Sequence, residues 1–407
     1  MAGIAVIGGG VIGCAAAAWL AADGHAVTVY ERRAEDRHAS AGNAGLLAFP
    51  EITPLARPGV LGSVPRWLMD PLGPLALRWR DLPALTPWLL RFLAAARAGQ
   101  VERSTAALGG LMRGALDDHH DLARRAGLPN HLRQTGAMDV YDNEASFRAA
   151  LPEWELRRRL GGHDFEPMTA DEARALVPDL TGSFARAVLC RAYWMVDSPL
   201  AVLQDLRRSL GDRLVAGAVT AVEPGPDGVS IRLADGTTQT FDAVVVAAGV
   251  WSREIVRGLG LKVTLETERG YNTTIPEALV RLPMPVVFAD HGFVASPLAD
   301  GLRIGGAVEL AAVDAPANYA RARALRQKAR AYLPGIPETG GTEWMGRRPS
   351  TPDSLPVIGP HPRDRRIVFA FGHGHLGLTL SATTARLVSA ILSGTPAPAP
   401  FGIERFQ

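Results

Sequence analysis

The stretch that constrains this chain most is its beginning. Ile4–Ile7 is an unbroken apolar run, and Gly8-Gly9-Gly10-Val11-Ile12-Gly13 follows it directly. Such a run predicts a strand buried on both faces. The next residues, "CAAAAWLAADG", predict a helix stopped near Gly24, and "HAVTVYE" predicts a second buried strand ending in Glu31. Each element answers a physical need. Gly8 permits a tight turn, Gly10 lets the backbone approach a pyrophosphate, and Gly13 lets the helix pack against the strand. The helix start offers free N–H groups and the positive end of its dipole to phosphates. Glu31 stands at the spacing, about 20 residues on, where a carboxylate accepts hydrogen bonds from a ribose diol. A lone G-x-G-x-x-G fits any tight turn. Strand, helix, second strand and acid in one register point to dinucleotide binding, and the acid favours NAD or FAD over NADP.

Two later stretches bear on how this fold is completed. Ser40-Ala41-Gly42-Asn43-Ala44-Gly45 suits either a surface loop or a backbone lying along a second phosphate and a flat ring. Far downstream, "GVSIRLADGTTQTFDAVVVAAGVWS" predicts a hairpin about Asp235-Gly236 and an apolar strand closing on Ala247-Ala248-Gly249. A strand returning this late makes the nucleotide domain discontinuous, so the intervening chain must supply a second domain. Its first part reads as helices: "PWLLRFLAAARAG", "STAALGGLMRGALDDHHDLARRAG", and "ADEARALVP" capped by Thr169. Its second part has strand-like runs, "VTLETERGYNTTI", "VVFA", "GFVASPL" and "LRIGGAVEL". The tail "SGTPAPAPFGIERFQ" reads as a Pro-rich terminal arm.

Near the C-terminus, "FAFGHGHLGLTLSATTARLVSAIL" sets His373 and His375 among three glycines, between an apolar strand and an apolar helix. Two imidazoles without a third ligand make a poor metal site. His119-His120 makes no better one: adjacent helical residues diverge and no H-E-x-x-H occurs, so a solvated helix face is expected. No metal is expected.

Taken together, these segments resemble the FAD-dependent D-amino-acid oxidase superfamily, and within it the D-amino-acid dehydrogenases and glycine-oxidase-like relatives, including the D-hydroxyproline dehydrogenase-like branch. The matching residues are Gly8–Gly13 with Glu31, "SAGNAG", "VVVAAG", "ERGYNTTIP" at 268–276, "WMGRRPSTPDSLPVIGP" at 344–360 and "FGHGHLGLT" at 371–379, which together span essentially the whole chain. The resemblance implies an α/β (α+β) fold. A discontinuous Rossmann-like FAD-binding domain would comprise residues 1–56, 190–262 and 340–407. A substrate domain of residues 57–189 and 263–339 would lay a mixed or antiparallel sheet over the flavin.

The resemblance also implies non-covalent FAD. Its contacts would be Gly8, Gly10, Val11, Ile12, Gly13, Glu31 and Arg32 at the chain start, and Ser40, Asn43, Ala44, Gly45 and Leu46 in the small-residue loop. Further on they would be Val219, Ala248, Gly249, Trp251 and Gly346, then His373, Gly374, His375, Leu376, Gly377, Leu378 and Thr379. A core-satisfied histidine is an alternative reading of His373. The implied reaction is oxidation of an amino acid's CH–NH bond to an imine by hydride transfer to flavin N5. It needs orientation more than acids, with a planar guanidinium clamping the carboxylate. Arg348 matches the family's clamp, with Arg347 beside it as the alternative. Tyr271 is the candidate hydroxyl donor, Phe293 stands where relatives often carry tyrosine, and His375 edges the cavity. A D-amino acid, a proline-type imino acid and an N-substituted glycine all remain open as substrate, as do a quinone, a respiratory carrier and oxygen as acceptor. Two other classes stay open: an NAD-linked dehydrogenase, and a non-catalytic FAD-binding subunit of a complex.

Composition excludes several partners. A net charge of +2 gives no bulk electrostatic case for nucleic acid. Two distant cysteines, Cys14 and Cys190, match no metal spacing and suit a reducing compartment. No basic leader, cleavage site or run of about 18 apolar residues occurs. A cytoplasmic setting is therefore expected. Trp67, Trp79 and Trp88 alternate with Arg66, Arg78, Arg80 and Arg91, which suits either peripheral contact with the inner face of the cell membrane or plain packing between helices.

Overall fold

The computed structural model describes residues 1–32, 38–58, 62, 73 and 75–407. The N-terminal apolar run becomes the strand Gly3–Ile7 at the middle of a six-stranded sheet. The strand order is Leu214–Ala216, Ala26–Glu31, Gly3–Ile7, Ala243–Val246, Asp364–Phe371 and Val357–His361. The first five run parallel, and Val357–His361 returns antiparallel at the edge. Parallel strands need both faces covered, and this alternation is visible residue by residue. Ile4 and Val6 face the helical side, with the alanine-rich helix Val11–Ala22 and the helix Ser381–Leu392. Ala5 and Ile7 face a three-stranded meander, Val219–Gly225, Gly228–Leu233 and Thr238–Phe241, where they meet Val229 and Ile231.

The second sheet has nine strands among the described residues. Eight follow in the order Thr342–Ser350, Glu266–Ile275, Gly301–Leu310, Phe293–Leu298, Val286–Phe288, Ala137–Tyr141, Arg186–Cys190 and Glu166–Thr169, and Leu75–Leu77 pairs with Gly301–Leu310. It is mixed, with parallel pairing at Val286–Phe288 against Ala137–Tyr141 and at Leu75–Leu77. Both sheets have the character expected of them. The domain boundary differs from the proposed one: Thr342–Ser350 hydrogen-bonds to Glu266–Ile275, so the chain returns to the first sheet only at Val357, not at 340.

Two local expectations change. The run "STAALGG…RRAG" forms two helices, Ala98–Met112 and Ala115–Ala126, because Gly114 takes a φ of 81° between them. The Pro-rich tail is docked, with Phe401, Ile403 and Phe406 buried. Of the two readings of the tryptophans, packing holds for Trp88: it is buried, stacks on Phe92 and donates its indole N–H to the Ser350 carbonyl at 3.1 Å. Trp67 and Arg66 lie outside the described residues.

The two fingerprint glycines Gly10 and Gly13 face opposite constraints. A Cβ on Gly13 would lie 1.9 Å from the Gly8 carbonyl oxygen, whereas one on Gly10 would meet nothing within 4 Å. Gly13→Ala is therefore expected to destabilise the fold by about 1–3 kcal/mol. Gly10→Ala should leave the denaturation midpoint of the ligand-free protein unchanged. Urea titration of both variants, freed of bound ligand, checks this; equal midpoints would contradict it.

Candidate functional site

A cavity of about 1140 Å³ runs from the fingerprint glycines to the second sheet. That exceeds the ~300–1,000 Å³ of ordinary small-molecule pockets, leaving room for a dinucleotide and a substrate. At one end Gly8 turns at a φ of 113°, and a Cβ there would strike the Ala247 carbonyl oxygen at 2.4 Å. Glu31 Oε2 accepts the Gly9 N–H at 2.7 Å, and Ser40 Oγ accepts the Val11 N–H at 3.3 Å. Arg207 donates Nε to the Gly9 carbonyl at 3.1 Å, holding the turn from behind. The Arg32 guanidinium stacks 3.5 Å over the Trp251 ring.

The middle of the cavity is made by the loop 40–45, which the second sheet grips. Buried Arg303 donates Nη1 to the carbonyls of Ala41 and Asn43 at 3.2 and 2.7 Å, and Nε to Thr274 Oγ1 at 2.9 Å. Asn272 Nδ2 donates to the Gly42 carbonyl at 2.9 Å. Gly45 adopts a φ of 76°, and its N–H reaches Asn43 Oδ1 at 2.8 Å. The Trp344 ring lies so close to Gly42 and Gly346 that a Cβ would fall 2.3 and 1.9 Å from its carbons.

The late histidine loop closes the far end. Gly374 N–H donates to the Pro349 carbonyl at 2.8 Å, tying the loop to the strand that carries Arg348. His373 is buried, with Nε2 2.9 Å from Thr384 Oγ1 on the following helix. Burial pushes its pKa down to about 3. Thr379 Oγ1 accepts the Ala48 N–H at 3.0 Å, and its carbonyl accepts His119 Nε2–H at 2.9 Å. His119 is therefore no solvated residue but a brace behind the loop; its neighbour His120 is exposed.

The substrate-side candidates stand on two antiparallel strands in which Glu268 faces Arg348, Arg269 faces Arg347 and Gly270 faces Gly346. The Arg348 guanidinium spreads over Gly270, where a Cβ would lie 2.2 Å from Nη2. It lines the cavity and makes no hydrogen bond or ion pair among the described residues. Burial lowers its pKa, opposed by the Glu268 carboxyl, which is itself raised by burial and accepts Ser350 Oγ–H at 2.7 Å. Arg347 differs: its Nε donates to the Val313 carbonyl at 2.7 Å. Tyr271 also lines the cavity, but its hydroxyl donates to Glu309 and accepts the Asn318 N–H at 3.0 Å. Phe293 stacks on Phe288 with centroids 4.5 Å apart. Burial drives the His375 pKa down to about 4; Glu51 pulls it up and Arg348 pulls it down.

Most expected residues reach the cavity wall, namely Gly8, Gly10, Val11, Ile12, Glu31, Arg32, Ser40, Asn43, Ala44, Leu46, Val219, Ala248, Gly249, Trp251, Tyr271, Arg348, His373, Gly374, His375, Gly377 and Leu378. Gly13, Gly45, Gly346, Leu376 and Thr379 stand one layer behind it, shaping the turns instead. Sequence reading missed Arg303, Asn272, Trp344, Arg207 and Glu51. Arg303 left one signal, a lone cation inside the apolar run "LRIGGAV".

Comparison with known proteins gives a consistent result. The model of the family described as FAD dependent oxidoreductase, DAO, matches residues 3–391. A D-amino-acid oxidase of Bradyrhizobium diazoefficiens is 35% identical, covering 99% of this chain and 98% of that one. A D-amino acid dehydrogenase of Paramagnetospirillum magneticum is 32% identical over 99% and 98% of the two chains. The structure of glycine oxidase from Geobacillus kaustophilus superposes with a TM-score of 0.75 at 23% identity, over 99% of this chain and 98% of that one, which shows a shared fold.

The buried histidine makes a pH prediction. His373 titrates near 6.5 when unfolded and near 3 when folded. Between those values the unfolded state binds more protons, so this contribution is fully present above pH 6.5 and is lost as pH falls towards 3. Between pH 7.5 and 5 the wild type should lose about 2 kcal/mol more stability than His373→Gln, which cannot titrate. Denaturant titrations at the two pH values measure the gap, and parallel losses would contradict it.

Proposed function

The chain belongs to the FAD dependent oxidoreductase family, DAO, and we propose that it oxidises the CH–NH bond of a small amino acid to an imine. The curated relatives that support this are named as D-amino-acid oxidase and D-amino acid dehydrogenase. A family built on FAD sets aside the NAD-linked alternative, and its enzymes set aside the non-catalytic one. The residues present fit FAD. The space beside Gly10 is open where a pyrophosphate must approach, and the 40–45 loop offers side-chain-poor backbone along the cavity. Gly8, Gly10, Val11 and Glu31 would hold the nucleotide end, and Ser40 to Leu46 with Gly374 to Leu378 the ring end. Cys14 and Cys190 are both buried and neither lines the cavity, which supports non-covalent binding. FAD supplies the acceptor for the two electrons that leave the substrate.

The observation that carries the reading is Arg348, a half-buried guanidinium facing the cavity without a hydrogen-bond or ion-pair partner among the described residues. Leaving such a charge unpaired is costly, and a substrate carboxylate supplies the missing bidentate acceptor. Arg347 is committed to the Val313 carbonyl, so the clamp is assigned to Arg348. Tyr271, engaged with Glu309 and Asn318, would support the cavity wall rather than donate to substrate. Phe293 adds an apolar surface suited to a small side chain or a proline ring. His375, with its pKa near 4, stays neutral at physiological pH and adds no competing cation beside Arg348.

The electrons must then pass to a quinone, a carrier or oxygen. For a membrane acceptor, the exposed Trp79, Leu90 and Leu93, each next or close in sequence to exposed Arg80 or Arg91, are side chains suited to lipid headgroups. No helix among the described residues is long and apolar enough to cross a membrane. The reading predicts flotation with anionic liposomes at low salt, weakened by Trp79→Ala with Leu90→Ala; protein left at the bottom of the gradient would end it.

Arg348→Met removes one to two charge-assisted bonds of about 1.5–3 kcal/mol each. Its kcat/KM should fall by about 10² to 10⁴-fold. Arg348→Lys should recover only part, because a point charge cannot form the fork. Acid-released flavin should stay near the wild-type amount in both. Activity within about threefold of wild type in Arg348→Met would move the clamp elsewhere.

A further inference from the structure

Glu51 stands on the cavity wall with Arg348 and His375, and neither the fingerprint nor the loop motifs point to it. It follows the turn in which its own N–H donates to the Ala48 carbonyl at 2.9 Å. Its carboxylate is fixed from behind. Arg157, on the helix Glu144–Gly161, donates Nη1 to Oε1 at 3.0 Å and Nη2 to Oε2 at 3.3 Å, and the Tyr193 hydroxyl donates to Oε1 at 3.0 Å. Arg157 is only 6% exposed, and it also serves Glu153, which pairs in turn with Arg57 at 3.1 Å. Burial alone would raise the Glu51 pKa, but Arg157 overrides it and keeps the group ionised. A carboxylate has about four lone-pair sites, and the protein occupies three of these. The open one belongs to Oε2, and the Glu51 side chain keeps 28% of its surface exposed.

The cavity thus holds a fixed anion and an unpartnered cation, with a neutral imidazole that feels both charges. An amino acid in water carries the complementary pair. Entering a partly dry cavity strips hydration from both ends, and Arg348 compensates only the carboxylate. We propose that Glu51 is a specificity residue that accepts a hydrogen bond from the substrate's cationic nitrogen, the ammonium of an amino acid or the secondary ammonium of an imino acid. This rests on the amino-acid reading above. It explains why a helix sends a buried arginine to the wall: without Arg157, only the Tyr193 hydroxyl would hold the Glu51 carboxylate.

The test compares zwitterions with amine-free counterparts on the flavin-loaded enzyme. D-alanine and D-proline are followed by anaerobic flavin bleaching, giving a Kd and a limiting rate. Propionate and cyclopentanecarboxylate are followed by flavin difference spectra. Glu51→Gln should weaken D-alanine or D-proline about ten- to a hundredfold, the worth of one charge-assisted bond. Binding of the amine-free acids should be unchanged or tighter. If Glu51→Gln does not fold, Glu51→Asp is read instead, and the retracted charge should again weaken only the zwitterions. Equal zwitterion affinity in wild type and variant overturns the role of Glu51 while leaving the amino-acid reading intact. Equal weakening of both ligand classes overturns it as well, because the change would then be a deformed cavity. A wild-type flavin that neither zwitterion bleaches and neither amine-free acid perturbs overturns the amino-acid reading and this proposal together.

Discussion

The cavity depends on the grip of Arg303 on the 40–45 loop. A buried guanidinium must find acceptors for its donors, and a loop of Ser, Ala, Gly and Asn has carbonyls free to give. Arg303 takes those of Ala41 and Asn43, Asn272 takes that of Gly42, and Asp300 offsets the remaining charge. This joins a strand of the second sheet to a loop leaving the first. The loop can then hold a defined path although, within it, only Ser40 and Asn43 have side chains able to anchor it.

The same device recurs at the other end. The late histidine loop is held through Gly374 N–H on the Pro349 carbonyl, Thr379 on Ala48, and His119 on the Thr379 carbonyl. Glycines keep the cavity face of these loops bare, and hydrogen bonds from behind supply the order that glycine's conformational freedom would otherwise remove. The fixed charges follow a complementary rule. Arg303, Arg269 and Arg157 spend guanidinium donors on carbonyls or carboxylates, whereas Arg348 makes no hydrogen bond or ion pair among the described residues. An unpartnered cation among engaged ones is what supports the proposal that Arg348 binds the substrate carboxylate.

Much of the fold and part of the site could be read directly from the chain. Gly8, Gly10 and Gly13 act within a few residues of one another, and their turn, open space and close helix contact follow from backbone sterics alone. The strand Ala243–Val246, the Asp235-Gly236 hairpin and the Thr169 N-cap are equally local, and all formed where the pattern placed them. Other residues carried no such signal. Trp88 among arginines suited either a surface or packing, and only the fold places it in the core; His119 looked solvated and braces a loop 260 residues away in sequence.

The sequence alone therefore determined the nucleotide fold and a choice between NAD and FAD, because those depend on periodicity and on glycines whose neighbours lie close in the chain, and the resemblance of its motifs supplied the family and FAD. Tertiary structure decided which of two adjacent arginines has a free guanidinium, that the Tyr271 hydroxyl is already engaged, that Thr342–Ser350 belongs to the second sheet, and that Glu51 reaches the cavity. Each of these depends on a partner far away in sequence: Val313 for Arg347, Glu309 for Tyr271, the strand Glu266–Ile275 for Thr342–Ser350, and Arg157 for Glu51. A charge in a sequence shows only its sign. Whether it is spent within the protein or left for a ligand is settled by what the fold packs beside it.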